Sequence, residues 1–361
     1  LDADEPWHRQ VEDHRVEPPR RAAHQLDGLV SALRCLHRDT LHGEHPADDA
    51  AHQLVVIHHE HAGAGELDRL GGIDIALWDL LGKKEDAPVF QLLGYKHAFG
   101  KLPYASQLFG SDAQETFEKA KAARARGFRA IKFGWGPFGR GTVADDLAHL
   151  EAARAGAGTE TLVMIDAGTV WGDDVVLARR RLEALKRIGA YWLEEPFTNL
   201  AVGAYHDLSV STPGIALAGG EGCNNFEQAN LMLSYGGLSF IQIDAGRIGG
   251  ITIAKKVADI ARTKNIRYVN HTFTSHLAMS ASLQPYAGME QDHICEYPVE
   301  LKALARDLTV NRIMPDEHGL VRPPDAPGLG MEIDLDTVKK YLQDVDIRIN
   351  GKRIFYSPSL S

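Results

Sequence analysis

From Lys101 to Pro298 the chain alternates short apolar runs with longer stretches in which apolar residues recur every three or four positions, the two periods that separate strands from helices. Strands are predicted at Leu102 to Ser106, Ala130 to Phe133, Leu162 to Asp166, Tyr191 to Glu194, Ile215 to Gly219, Phe240 to Asp244, Ile266 to His271 and Ile294 to Tyr297. A capping-box pattern at Ser111-Asp112-Ala113-Gln114 opens a helix that Gly127 ends. Further helices are expected around Ala144 to Ala155, at Ile251 to Thr263 and at Ser275 to Leu283. Another is expected at Val175 to Ile188, where Ala178, Leu182, Leu185 and Ile188 share a face before Gly189. Eight strand candidates with helices between most of them close naturally into a parallel α/β barrel. The alternative is an open doubly wound sheet, which the lack of a GxGxxG loop after the first strand disfavours.

The flanks read differently. Ile73, Leu77, Leu80 and Leu81 form a helical face that Gly82 is expected to end, and Val89 to Leu93 is a second apolar piece before Gly94. Beyond Pro315 come Pro323, Pro324 and Pro327, then a helix at Leu335 to Gln343 and a strand-like run from Val345 to Ile349. The chain thus divides into an N-terminal region at 1–100, a barrel at 101–325, and a segment at 326–361 that leaves the barrel and packs on the N-terminal piece. Residues 1–65 are atypical, holding ten of the seventeen histidines among many Arg, Asp and Ala. Only Leu54 to Ile57 resembles a strand there, and Ala22 to Leu36 a weak helix. Three explanations stand: a disordered or loosely packed arm, a stretch translated in a shifted frame, or a histidine-rich metal-binding segment, the last disfavoured by irregular histidine spacing.

Three apolar runs lead into an acid, Asp166, Glu194 and Glu221, at intervals of 28 and 27 residues. An interval of that length fits one strand plus one helix, which sets the acids at equivalent strand ends. Taken singly, an acid after an apolar run is most often a cap or a solvated turn residue; the regular interval distinguishes these. Three converging carboxylates repel one another unless a cation lies between them. Hard oxygen ligands suit Mg²⁺ better than zinc.

Asp244 and His271 end the strands that follow, 27 residues apart. On neighbouring barrel strands the carboxylate would accept a hydrogen bond from one imidazole nitrogen, fix the tautomer and raise the basicity of the other. That is a dyad suited to abstracting a proton; the plain alternative is a structural Asp and a core His. His276, in the first turn of the next helix, is a second candidate. Lys132 ends the second strand, where a lysine beside a metal binds a carboxylate or, with a lowered pKa, acts as a base. Its bland reading is a solvated strand-end lysine. The glycines at 134, 136, 139 and 141 describe a flexible loop rather than a phosphate cradle, because no GK[ST] ending follows.

Composition narrows the class. A formal net charge of −10 with no offsetting basic stripe excludes a general nucleic-acid binder. Cys35, Cys223 and Cys295 show no CxxC spacing, so neither a disulfide framework nor a zinc site is expected, and a reducing cytoplasm fits. No apolar run approaches the roughly 20 residues that span a bilayer, and an N-terminus with Asp2, Asp4 and Glu5 does not resemble a signal peptide.

Taken together, these residues resemble the enolase superfamily, and within it the mandelate racemase subgroup. The resemblance rests on Met164-Ile165-Asp166-Ala167-Gly168, Trp192-Leu193-Glu194-Glu195-Pro196, Ala218-Gly219-Gly220-Glu221-Gly222, the run from Ile243 to Thr252, and Asn270-His271. The stretches from Gly72 to Lys83 and from Pro327 to Asp334 support it, and coverage runs from about Gly71 to the C-terminus. It implies a modified TIM barrel of the (β/α)7β type with an α+β capping domain built from both chain ends. It also implies Mg²⁺ held by Asp166, Glu194 and Glu221, the first Glu of the Glu-Glu-Pro motif being the ligand. The implied chemistry is abstraction of the proton α to a carboxylate, giving an enolate. Glu296 falls where relatives place an acid that hydrogen-bonds the substrate, and relatives are usually homo-oligomers.

Two departures refine this. Racemase relatives carry Lys-x-Lys on the second strand, the second lysine serving as the base for one enantiomer; here the run is Lys132-Phe133-Gly134. Racemisation needs a base on each face of the enolate, whereas dehydration can use one His to take the α-proton and return it to the departing β-hydroxyl. An acid-sugar dehydratase producing a 2-keto-3-deoxy acid is therefore expected, with Lys132 orienting the carboxylate and His276 a further substrate contact. A racemase, epimerase or cycloisomerase stays open if Lys132 reaches the α-carbon. The second departure is residues 1–65, which do not match the family's site-closing region and leave a catalytically silent metal-binding barrel as the rival.

Overall fold

The structure, a computed structural model, describes residues 66–211, 214–349 and 351–357. The expectations for residues 1–65 fall outside the described residues. Eight parallel strands are arranged in chain order: β1 (Leu102–Leu108), β2 (Ala130–Gly134), β3 (Leu162–Asp166), β4 (Ala190–Glu194), β5 (Ala216–Gly219), β6 (Phe240–Ile243), β7 (Arg267–Asn270) and β8 (Ile294–Pro298). The ladder runs β7-β6-β5-β4-β3-β2-β1-β8, with Leu102 paired to Ile294 where β8 meets β1. Between β7 and β8 a side chain takes over from the ladder. The Asn270 amide oxygen accepts the Glu296 N–H at 3.0 Å, and the Tyr286 hydroxyl holds that oxygen at 2.8 Å. This is a barrel of the modified TIM type, the expected fold class.

Strand alternation fills the barrel in layers. Tyr104, Ala130, Met164, Trp192, Ala218, Phe240, Val269 and Ile294, one from each strand, form a buried apolar plug. Each large member contributes about 1.5–3 kcal/mol by leaving water. Two residues further along the strands the inward positions turn polar: Ser106, Lys132, Asp166, Glu194, Gln242, His271 and Glu296. The plug is thus the floor on which the polar cluster stands, at the C-terminal ends of the strands.

Three local expectations need correction. Gly82 does not end its helix, which runs Glu66–Lys84. A Cβ at Gly82 would lie 2.5 Å from the Gly328 Cα, so the glycine permits a close approach rather than a stop. Here the chain beyond the barrel meets the N-terminal helices: Leu329 N–H donates to Asp79 Oδ1 at 2.7 Å and Val89 N–H to the Gly328 carbonyl at 3.0 Å. The helix expected over Val175 to Ile188 is two helices, Val175–Arg179 and Leu182–Arg187. The break coincides with Arg181, whose buried guanidinium is drawn inward to Asp146 Oδ2 at 2.9 Å. After β1 the helix is capped by Asp112, which accepts the Glu115 N–H at 2.8 Å, so the cap lies one residue beyond Ser111. Periodicity missed the helices Val202–Ser211 and Phe226–Tyr235 and the second strand of the terminal hairpin, β9 (Asp346–Ile349) with β10 (Lys352–Tyr356). Among the described residues no helix is long and apolar enough to cross a membrane.

Candidate active site

β3 and β4 end on Asp166 and Glu194, which are register partners. Glu221 follows β5 by two residues, after Gly219-Gly220. All three are buried, and each offers a carboxylate oxygen within 4.8 Å of the others. Burial first, then the charges of Glu194 and Glu221, push the Asp166 carboxyl well above the usual range against the pull of Lys132. Glu194 is raised by burial in the same way, with Lys132 opposing. Burial works against ionised Glu221, but His271 beside it, joined by Lys132 and Arg247, holds it below the usual range. Three buried, mutually repelling hard oxygen donors fit a small divalent cation and are otherwise costly to hold together.

The protein's own cations occupy part of that role. Lys132 Nζ donates to Glu194 Oε1 at 2.5 Å, lies 2.9 Å from Glu296 Oε1 and 3.7 Å from Asp166 Oδ2. Burial disfavours its charge, but Glu194 and Glu296 outweigh that and raise its pKa well above the ordinary value. A lysine so enclosed is a fixed positive charge rather than a base. Glu296 has both oxygens engaged, Oε1 also accepting from Ser106 Oγ at 2.7 Å and Oε2 from the Thr272 N–H at 2.6 Å.

His271 stands between two acids. Its Nδ1 lies 2.8 Å from Asp244 Oδ2 and its Nε2 3.0 Å from Glu221 Oε2. Burial opposes the imidazolium, yet Glu221, Glu296 and Asp244 together raise its pKa well above the usual value. Asp244 is fixed in turn, Oδ1 accepting the N–H groups of Gly246 at 2.8 Å and Arg247 at 3.1 Å. The pair has the geometry of an oriented imidazole, and Nε2 becomes free to accept a proton only when Glu221 is engaged elsewhere.

The structure brings Asp166, Glu194, Glu221, Lys132, Glu296, Asp244 and His271 into one cluster. His276 is set apart: its ring lies 6.1 Å from that of Tyr297, a residue whose alternation turns it away from Glu296, and its Nδ1 has no hydrogen-bond partner. None of its contacts reaches the acids. Three residues of the cluster escaped sequence reasoning. Arg247 Nη1 donates to Glu221 Oε1 at 3.2 Å, and its place three residues after Asp244 was the available signal. Ser106 was signalled only as the polar end of β1, the register partner of Lys132. Glu195 is buried beside its neighbour Glu194, at the end of β4.

The fold and cluster define an α/β-barrel protein with an acidic site, competent to hold a cation, at the ends of its strands. The chain belongs to the mandelate racemase / muconate lactonizing enzyme family of the enolase superfamily. The enolase C-terminal domain-like model matches residues 115–337, and the mandelate racemase / muconate lactonizing enzyme N-terminal domain model matches residues 51–94, so the likeness begins upstream of Gly71 and takes in the last part of the stretch 1–65 that was expected not to match. The chain is 31% identical over 289 residues to a D-galactarolactone cycloisomerase of Agrobacterium fabrum, covering 76% of this chain and 74% of that protein. It is 27% identical over 364 residues to a D-galactonate dehydratase of Xanthomonas oryzae pv. oryzae, covering 92% and 87%. A solved structure from Rhodobacter sphaeroides, described as a predicted mandelate racemase, superposes with a TM-score of 0.78 at 51% identity, covering 81% of this chain and 75% of that one.

Proposed function

We propose that this chain is a Mg²⁺-dependent dehydratase of acid sugars. The observation that carries the reading is a one-sided base: His271, oriented by Asp244, faces the cluster from β7, while β2 supplies an enclosed lysine and then Gly134 where a second base would stand. Asp166, Glu194 and Glu221 would hold the cation. When bound, it supplies Lewis-acid stabilisation of the enolate charge, worth several kcal/mol. Lys132, held in place by Glu296, orients the substrate carboxylate. His271 takes the α-proton at Nε2, and the electron pair of the broken C–H bond expels the β-hydroxyl, which leaves as water with a proton returned by the imidazolium. The enol product tautomerises to a 2-keto-3-deoxy acid. Base catalysis of this kind contributes roughly 10² to 10⁴ in rate.

The D-galactarolactone cycloisomerase relative favours a second reading, in which the same enolate expels a ring oxygen and the product keeps the mass of the substrate. Proton NMR in D₂O with Mg²⁺ and a library of aldonic and aldaric acids and their lactones tests both. Exchange at an α-carbon with loss of water supports dehydration, exchange at constant mass supports cycloisomerisation, and no exchange with any acid in a Mg²⁺-binding sample supports a silent barrel. The working protein is further proposed to be a cytoplasmic homo-oligomer whose residues 1–100 and 326–361 together cap the site. Exposed Val210 and Tyr235, at the C-terminal ends of the helices Val202–Ser211 and Phe226–Tyr235, support self-association, and light scattering reads it directly.

A further inference from the structure

The turns after β2, β3 and β4 carry unusual backbone. Among the described residues, the non-glycine positions with left-handed φ are Asp86, Trp135, Thr169, Glu195 and Asn265. Asp and Asn visit that region readily; Trp, Glu and β-branched Thr do not, and these three are the ones at the mouth of the barrel. Two of them are bonded to each other, the Thr169 N–H donating to the Glu195 carbonyl at 2.7 Å.

The consequence at Glu195 is geometric. Trp192 and Glu194 point into the barrel, so alternation along β4 would send Glu195 out among the helices. At φ 38° regular alternation does not hold at Glu195, and the charges of Glu221, Asp166 and Glu194 act on its buried carboxyl. The residue is 4% exposed, and its Oε1 has no hydrogen-bond partner. Two polar groups on which the charge of Glu195 acts donate to other acceptors, the Tyr205 hydroxyl to the Phe197 carbonyl at 2.9 Å and Arg247 Nη1 to Glu221 Oε1 at 3.2 Å. A buried carboxyl oxygen without a donor marks a partner still to come.

We propose that Glu195 is a positioning residue of the cation site: its free oxygen accepts a hydrogen bond from a water in the hydration shell of the cation that Asp166, Glu194 and Glu221 hold, and so sets cation affinity without touching the substrate. This rests on the reading of the triad as the cation site. Glu195 directly follows the ligand Glu194 in the chain but lies outside the set of oxygens that converge within 4.8 Å, so it is not one of the ligands. Mg²⁺ prefers octahedral geometry and dehydrates reluctantly, so three carboxylates leave positions that water fills. Hydrogen-bond partners of such ligands hold their orientation, and losing one typically weakens binding about 10- to 100-fold.

The test is Mg²⁺ titration calorimetry on the full chain, with Mn²⁺ water-proton relaxation as a probe of bound water and thermal unfolding without cation as the control for folding. Glu195→Leu, which removes the acceptor, is expected to weaken Mg²⁺ binding about 10- to 100-fold and to change the Mn²⁺ relaxivity. Metal-free stability should be unchanged or raised, since a buried like charge is gone. Glu195→Gln keeps an acceptor oxygen and is expected to lose less affinity. Wild-type affinity and relaxivity in both variants overturn the proposal, as does a loss of metal-free stability with binding unchanged. If instead Glu194→Gln binds Mg²⁺ as well as the wild type, the triad reading fails, a different result from the failure of Glu195.

Discussion

Gly134 and Asp166 are register partners on β2 and β3, and a Cβ at Gly134 would lie 2.5 Å from Asp166 Oδ2. The missing side chain is therefore what lets the carboxylate lean over the end of β2. Gly134→Ala is expected to displace Asp166 and weaken Mg²⁺ binding about tenfold or more, measured by calorimetry, with the fold retained. Unchanged affinity would mean that Asp166 can yield without disturbing the cluster. The same contact explains why a lysine cannot simply be restored at this position to make a second base.

His271→Asn and Asp244→Asn separate proton transfer from cation binding. Each is expected to lower α-proton exchange roughly 10²- to 10⁴-fold, the first by removing the base and the second by removing the group that orients it. Mg²⁺ affinity should hold in Asp244→Asn, because Asp244 meets the cluster only through His271 and Arg247. Full exchange activity in His271→Asn would transfer the base role to another residue.

Much of the site was legible because strand ends are legible. A run such as Leu162-Val163-Met164-Ile165 fixes a strand, and the residue that closes it then sits at the mouth whatever the helices do. That logic located Asp166, Glu194, Asp244 and His271. It could not show the left-handed φ at Glu195, where the regular alternation on which the reading depends breaks down. It ranked His271 ahead of His276 by position alone, the first closing its strand and the second falling in the first turn of the next helix, and in the structure the His276 ring lies beside Tyr297. The helices were read less well where tertiary contacts overrode local pattern. The ion pair of Arg181 with Asp146 joins two helices distant in sequence, so the break at Arg181 carried no local signal.

At the other end of the barrel, Lys101 is fully buried, its Nζ donating to the Met289 carbonyl at 2.7 Å. Burial lowers its pKa from 10.5 to about 8, with Asp292 opposing. Below about 8 the native and unfolded chains both carry the proton, and the native state bears the whole cost of the buried charge. Between about 8 and 10.5 the unfolded chain binds more protons, so this contribution to stability rises with pH, by on the order of 3 kcal/mol in all. Burial pushes the Cys223 thiol up to about 12, which acts in the opposite sense above its ordinary value of 9.0, so the comparison must be with Lys101→Met. Urea unfolding from about pH 8 to pH 10 should show the wild type gaining on the variant. A constant difference would place the native Lys101 proton elsewhere on the pH scale.

The acid triad predicts a stability that depends on the cation. Asp166 and Glu194 are each disfavoured as anions by burial and by other carboxylates, and Lys132 offsets only part of this. A ligand that binds only the native state at a hundred times its Kd adds about 2.7 kcal/mol, which in a protein of this size raises Tm by roughly 5 °C. Asp166→Asn removes one of the repelling charges as well as a ligand. Its metal-free Tm should match or exceed that of the wild type, because the remaining acids are better balanced by Lys132, and added Mg²⁺ should no longer raise it. The two effects have opposite signs in a single variant, so general weakening of the fold cannot imitate them. If Mg²⁺ raises the Tm of Asp166→Asn as much as that of the wild type, the cation binds somewhere other than among these three carboxylates.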